Sequence, residues 1–211
     1  VEAASDASLV VVPASSIRGR WWPGSPALRL LHRARRPVLL ASLPAYASYR
    51  RVLTAVELDL DACSLIAAAH ALSRDPRMKV LHVLGTVHEE TMRLADVPGH
   101  VIHAQRDRDA LRARSVLAEL IASAGPSADE AEPVIAFGNV AHRVMEQQLA
   151  IGADLLVVGK RHRHPVLDAV RGGVARRVLR RAGAGVLLLP VLPRARNSPW
   201  HLPDFARGAM Q

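Results

Sequence analysis

Residues 138–190 read GNVAHRVMEQQLAIGADLLVVGKRHRHPVLDAVRGGVARRVLRRAGAGVLLLP. Across 139–149 the apolar residues Val140, Val144 and Leu149 fall at helical spacing. Gly152 stands where a helix C-terminus favours a residue with left-handed backbone. Leu155 to Val158 is a continuous apolar run, as a strand buried on both faces requires. A polar, basic loop is expected from Gly159 to Gly172. A second helix is expected from Val174 to Ala182, ending near Gly183 and Gly185, and a second buried strand from Val186 to Leu189. Helix, strand, loop, helix, strand is the back half of a doubly wound α/β sheet. Ligands of such sheets bind beyond the carboxyl ends of the strands, so function is sought in the loop after Val158.

The preceding stretch supplies the front half. Val52 to Val56 reads as a buried strand that ends at Glu57, and Asp59 or Asp61 then caps a helix running to about Ser73. Met78 to Leu84, MKVLHVL, is a second strand. Residues 85–105 are expected to be irregular, broken by Pro98 and Gly99. A long helix should follow over 106–124, with Leu111, Val116, Leu117, Leu120 and Ile121 on its apolar side. An acidic loop over 125–132 leads to a third strand, Val134 to Phe137. The expected fold is therefore α/β, a Rossmann-like, doubly wound, five-stranded parallel sheet over 49–193. The tail, 194–211, lacks periodicity and is expected to be disordered.

The chain also repeats itself. Residues 7–13, ASLVVVP, match 153–159, ADLLVVG, and residues 24–40 match 172–188 without a gap, with about a dozen identities in all. The first 42 residues thus form a partial strand–loop–helix–strand copy of the later domain, joined to it by a linker, 43–48. The three strands that precede this unit in the complete copy have no counterpart, and the first residue is Val1 rather than methionine. A tandem arrangement cut inside its first domain is the expectation. In this copy Pro13 and Ser16 replace the loop glycines, Gly24-Ser25 is kept, and Trp21 and Trp22 fill the loop, packing over an exposed core edge or stacking on a base. A unit of about 40 residues is too short to bury an adequate core and is expected to attach to a sheet edge.

Composition narrows the function classes. Half of the 211 residues are apolar and only 3% aromatic, which suits valine-rich strands under alanine- and leucine-rich helices. The apolar runs are far shorter than the roughly 20 residues of a membrane span. One cysteine, Cys63, allows no internal disulfide and fits a reducing compartment, with a buried structural thiol as its expected role. A formal charge of +9 raises the prospect of anionic ligands. No aromatics interleave the arginines as a single-strand platform needs, so nucleic-acid contact should be weak and unspecific.

Residues 153–159, followed by Gly172, resemble the closing half of the universal stress protein family. The family pattern is an Asp-Leu-hydrophobic-Val-Val-Gly strand, then Gly-x2-Gly-x9-Gly-(Ser/Thr). Ala153 to Gly159 fits the strand and Gly172 the third motif glycine, while His162 replaces the second glycine and Gly173 the hydroxyl residue. The resemblance also covers the Leu-His-Val strand with His82 and Val83, and the glycine after the third strand, Gly138. It implies a cytoplasmic stress-response protein that is a binding and signalling module rather than an enzyme. It further implies domains that pair antiparallel through their fifth strands; a homodimer through edge strands is expected from the edge left open at Leu9 to Val12.

The same resemblance implies an adenine-nucleotide site at Val56, Glu57, Val83, Gly138, Gly159, His162, Gly172 and Gly173. A phosphate cradle needs open backbone N–H groups on small residues. His162 puts a side chain where the backbone should be open, and Gly173 removes a hydroxyl donor. The expectation is a degraded ATP loop and no bound cofactor, the alternative being a binder of ATP or AMP through residues 159–173. His162 with His164, and His100 with His103, lack a cysteine or carboxylate at a recognised ligand spacing, so no metal site is expected. No catalytic constellation stands out either. His82 is expected to be a hydrogen-bonded core histidine. Strands 9–12 and 38–40 of the partial copy should lie beside strand 186–189, leaving the edge at Leu9 to Val12 to be covered by a second chain.

Overall fold

The computed structural model describes residues 8–13, 36–42, 48–58, 61–73, 78–161 and 184–191. The strands are β1 (Val10–Pro13), β2 (Val38–Ala41), β3 (Val52–Val56), β4 (Met78–Leu84), β5 (Ala131–Phe137), β6 (Leu155–Arg161) and β7 (Gly185–Val191). Four helices are described: α1 (Ala62–Leu72), α2 (Val87–Leu94), α3 (Gly99–Ser123) and α4 (Val140–Ile151). The strands form one sheet in the order β1-β2-β7-β6-β3-β4-β5. β3 to β7 are mutually parallel and make the expected five-stranded doubly wound sheet.

Burial follows from composition. In β3, Val52, Leu53 and Thr54 are all fully buried, because helices cover both faces. One face carries α1 and α3, with Ile66, Leu117, Leu120 and Ile121 packed on Val52, Val80, Leu155 and Val157. The other carries α4, whose Val144 and Met145 meet Leu53, Leu81 and Leu156. Helix α1 is buried continuously from Ala62 to Ala69, which its small alanines permit. Asp61 caps it, its carboxylate accepting from the Ser64 amide at 3.2 Å. Cys63 is buried, its thiol donating to the Leu120 carbonyl at 3.3 Å.

Several boundaries differ from the sequence reading. The stretch 85–105 is not irregular: α2 occupies Val87–Leu94 and α3 begins at Gly99. Pro98 is the N-cap of α3, where its missing N–H costs nothing, so the residue that looked like a breaker starts the helix. The buried stripe of α3 is Ile102, Ala113, Leu117, Leu120 and Ile121, whereas Leu111 and Val116 are exposed. On α4, Val140 and Leu149 are exposed, and Val144, Met145 and Gln148 face inward. Asn139 caps that helix through the His142 amide, and Gly152 ends it in the left-handed region at φ 58°. β5 starts at Ala131 and contains Pro133, which an edge strand tolerates. β6 runs on through Gly159, Lys160 and Arg161, paired with Leu189, Pro190 and Val191, so the loop does not begin at Gly159. Gly185 opens β7 rather than closing a helix. The expected helix 174–182, the tail 194–211, Trp21 and Trp22 lie outside the described residues.

The first strands attach as the repeat suggested. β2 runs antiparallel beside β7, with Val38 opposite Leu188, Leu39 opposite Leu187 and Leu40 opposite Val186. In the sequence repeat Val38 corresponds to Val186, Leu39 to Leu187 and Leu40 to Leu188. Exchanging the two copies therefore leaves the register unchanged, the property of an isologous contact. β1 lies parallel to β2 with Val10 opposite Val38 and Val11 opposite Leu39. Their counterparts pair identically, Leu156 opposite Val186 and Val157 opposite Leu187.

Candidate functional site

The crevice a doubly wound sheet offers to ligands lies where the chain leaves neighbouring strands in opposite directions. Here those neighbours are β3 and β6, paired from Val52·Leu155 to Ala55·Val158. The chain leaves β3 towards α1 and β4, and β7 lies on the far side of β6. Glu57 after β3 and Gly159 to Arg161 at the end of β6 flank that crevice.

The entrance to both strands is fixed by Asp154. Its Oδ1 accepts from the Arg51 amide at 2.9 Å, and its Oδ2 from the Arg50 amide at 3.0 Å. Its own amide donates to the Arg51 carbonyl at 2.9 Å, and its carbonyl accepts from Gly185 at 2.7 Å. One residue thus sets the relative height of β3, β6 and β7. Tyr49 packs on Gly185 so closely that a β-carbon there would lie 2.6 Å from the phenol oxygen.

At the carboxyl ends, Val56 and His82 are opposite each other across β3 and β4. His82 Nδ1 lies 3.0 Å from the Val56 carbonyl. A carbonyl only accepts, so Nδ1 carries the hydrogen, and His82 is the half-buried, hydrogen-bonded histidine expected. Val56 packs on the α1/α3 face, whereas Val83 packs on the α4 face. The two valines predicted as site residues thus lie on opposite sides of the sheet. Gly138 follows β5 at φ 115°, a conformation that favours glycine, and its amide donates to the Leu84 carbonyl at 2.9 Å. Gly159 is a ladder residue opposite Leu189. Glu57 is exposed beside the end of β3. His162, Gly172 and Gly173 lie outside the described residues, so the structure brings together the β-strand ends of the predicted site and leaves its loop undescribed.

A second feature had no signal in the sequence. Arg106 of α3 stacks over the Phe137 ring, 4.1 Å from its centroid, and its Nε is 3.7 Å from Glu89. Arg143 of α4 donates to the Phe137 carbonyl at 2.7 Å and pairs with Glu146. Beside Phe137 a cavity of about 310 Å³ opens between α2, α3 and the ends of β4 and β5. Leu58, Leu84, Met92 and Val116 make it mainly apolar, with Glu89, Asp109 and Arg112 among its other lining residues. Arginine at 106 and phenylalanine at 137 are too far apart in sequence for any spacing rule to link them. His100 and His103 stand on α3 rather than on a loop. Among the described residues no three His, Cys, Asp or Glu side chains are grouped to hold a metal ion. No described helix is long and apolar enough to cross a membrane.

The sequence pattern of the universal stress protein family matches residues 48–190. The chain belongs to the universal stress protein family. Solved structures of this family share the fold. The chain is similar to a universal stress protein from Archaeoglobus fulgidus DSM 4304, with 18% identity and a TM-score of 0.57 over 90% of this chain and 63% of that one. It is also similar to a putative universal stress protein from Pseudomonas aeruginosa UCBPP-PA14, with 18% identity and a TM-score of 0.54 over 96% of this chain and 66% of that one. The chain thus spans less than two thirds of the length of either relative. Among curated proteins none matches it.

Proposed function

We infer that this universal stress protein works as a binding module of the stress response through its sheet edges, with a phosphate loop altered away from nucleotide binding and no enzymatic role. The observation that carries the reading is the symmetric register of β2 on β7. The edge of a fifth strand, which such domains use for pairing, is filled here from within the chain. That supports a tandem reading of residues 1–42 as a partial copy of the domain. Association of two chains through edge strands belongs to the same reading and would use β1 or β5, the edges of the sheet among the described residues. His162 and Gly173 at the motif positions support the loss of the nucleotide. An anionic ligand held by the arginines of 160–181 remains compatible with it.

The expected result is that freshly purified protein carries no stoichiometric nucleotide in native mass spectrometry, and that calorimetry with ATP shows no saturable binding at low micromolar concentration. Saturable binding there overturns the reading in favour of an ATP or AMP binder. The conformation of Gly138, which lets backbone approach a ligand, is what favours that second reading. The double variant His162→Gly, Gly173→Ser should gain affinity; an unchanged affinity shows that the loop fails for another reason.

A further inference from the structure

We propose that the cavity beside Phe137 binds a small apolar α-amino acid, its ammonium on Asp109 and its carboxylate on Arg112. The inference goes beyond the edge reading and does not rest on it. The cavity lies apart from the predicted nucleotide site: Val56, Glu57, Val83, Gly138 and Gly159 are not among its lining residues. Alternation along β4 explains the separation. Val83 packs on the α4 face, so Leu84, the next residue, turns to the α1/α3 face, where the cavity is.

The charges of the lining select the ligand. Glu89 and Arg106 are matched to each other at 3.7 Å, Glu89 also faces Arg93 at 3.9 Å, and Arg106 stacks on Phe137. Two further charged groups are not matched in this way. Asp109 accepts from the neutral amide of Gln105 at 2.9 Å and has no cationic partner among the described residues. Arg112 has neither an ion pair nor a hydrogen bond among them. Both stand on α3, three residues apart and so neighbours on one face, yet they form no ion pair with each other. An α-amino acid carries an ammonium and a carboxylate on one carbon, so a single head group serves both side chains. A ligand with only one of these charges would leave the other side chain unmatched and meet a like charge beside its partner. The body of the ligand follows from the wall. Leu58, Leu84, Met92 and Val116 are apolar, and one face of the Phe137 ring is taken by Arg106, which favours an aliphatic side chain over a stacked aromatic one. About 310 Å³ is the share of about ten water molecules at about 30 Å³ each, hence of a ligand of about ten heavy atoms, the size of leucine.

The test uses the full chain, isotope-labelled in its methionine methyl groups and followed by NMR, with L-leucine as probe. Met92 lines the cavity, while Met145 packs on the opposite face of the sheet and serves as control. Met92→Leu assigns the reporting signal. Leucine should move the Met92 signal saturably, with a dissociation constant of about 1 mM or below, and leave Met145 in place. Isocaproate, which lacks the ammonium, and isoamylamine, which lacks the carboxylate, should each bind about tenfold more weakly. Asp109→Asn and Arg112→Gln should each weaken leucine by about fivefold or more. Asp109→Asn should not weaken isocaproate, and Arg112→Gln should not weaken isoamylamine, a split that general damage to the fold would not give. The proposal is overturned if leucine causes no saturable shift, if it moves Met92 and Met145 alike, or if either half-ligand binds as well as leucine. A variant at 109 or 112 that binds leucine like the parent overturns it equally.

Discussion

Removing the carboxylate of Asp154 tests how the strand entrances are held. In Asp154→Ala the amides of Arg50 and Arg51 lose their acceptors, while the backbone bonds of residue 154 to Arg51 and Gly185 stay available. A hydrogen bond to a charged group contributes about 1.5–3 kcal/mol, and a donor near the surface recovers part of that from water. Two such donors at a partly exposed site give an expected loss of about 2 kcal/mol for the pair. For a chain of this size that lowers the melting temperature by roughly 4–8 °C. Asp154→Asn keeps one oxygen, which suffices for Arg51, and should lose about half as much. The assay is urea unfolding of parent and both variants, followed by far-ultraviolet circular dichroism. The midpoints should fall in the order parent, Asn, Ala with unchanged slope. An Ala variant within about 0.3 kcal/mol of the parent, or an Asn variant as weak as Ala, would refute the account of Asp154 as an acceptor clamp.

Two further substitutions probe the same frame. Gly185→Ala places a β-carbon 2.6 Å from the Tyr49 oxygen, and the buried ring must move. The expected cost is about 1–3 kcal/mol, partly recovered by adding Tyr49→Leu; an unchanged melting temperature in the single variant contradicts the packing argument. At Glu130 the Ser127 amide and hydroxyl donate to the carboxylate at 2.8 and 2.9 Å, and His70 lies beside it. The amide bond first, then the hydroxyl, hold its carboxyl below the ordinary 4.5, against a smaller opposing effect of burial. A lowered folded-state value means stability that is present above the unfolded value and lost as pH falls through the folded one. The advantage of parent over Glu130→Gln in urea midpoint should therefore be constant above about pH 5 and disappear on acidification below 4.5. A difference that persists undiminished into strong acid would mean the carboxylate is not the group responsible.

Most of the sheet was legible because its strands obey a simple rule. Strands buried on both faces must be apolar throughout, and Val52–Val56, Met78–Leu84 and Val186–Leu189 are close to that. Helix ends with a chemical cause, Asp61 and Gly152, were legible too. What escaped lacked such a cause in local sequence. Pro98 and Gly99 suit both a broken stretch and the start of a helix, and only the tertiary placement of Ile102 decides between them. Leu111 reads as a core residue by type, but the stripe that faces the sheet is set by which turn meets β5, and a single chain does not state that. Lys160 and Arg161 carry no strand signal, yet the β6 ladder continues through them, because backbone pairing with a long β7 does not depend on side-chain polarity.

At the candidate site, local sequence does not state which face of the sheet each strand end presents. Val56 and Val83 come from the family resemblance, which names the residues and not their faces. Side chains alternate along a strand, so a shift of one residue in register sends a side chain to the other face. Val56 is opposite His82, not Val83, and that single step puts His82 on the side of Val56 and Val83 behind the sheet. The residue types were compatible with either register. With His82 donating to the Val56 carbonyl, one lone pair of that carbonyl is engaged by a side chain of its own sheet. The functional reading therefore stands on a test of binding itself, while the edges, where pairing is set by backbone register, are the part of this chain that structure alone can argue.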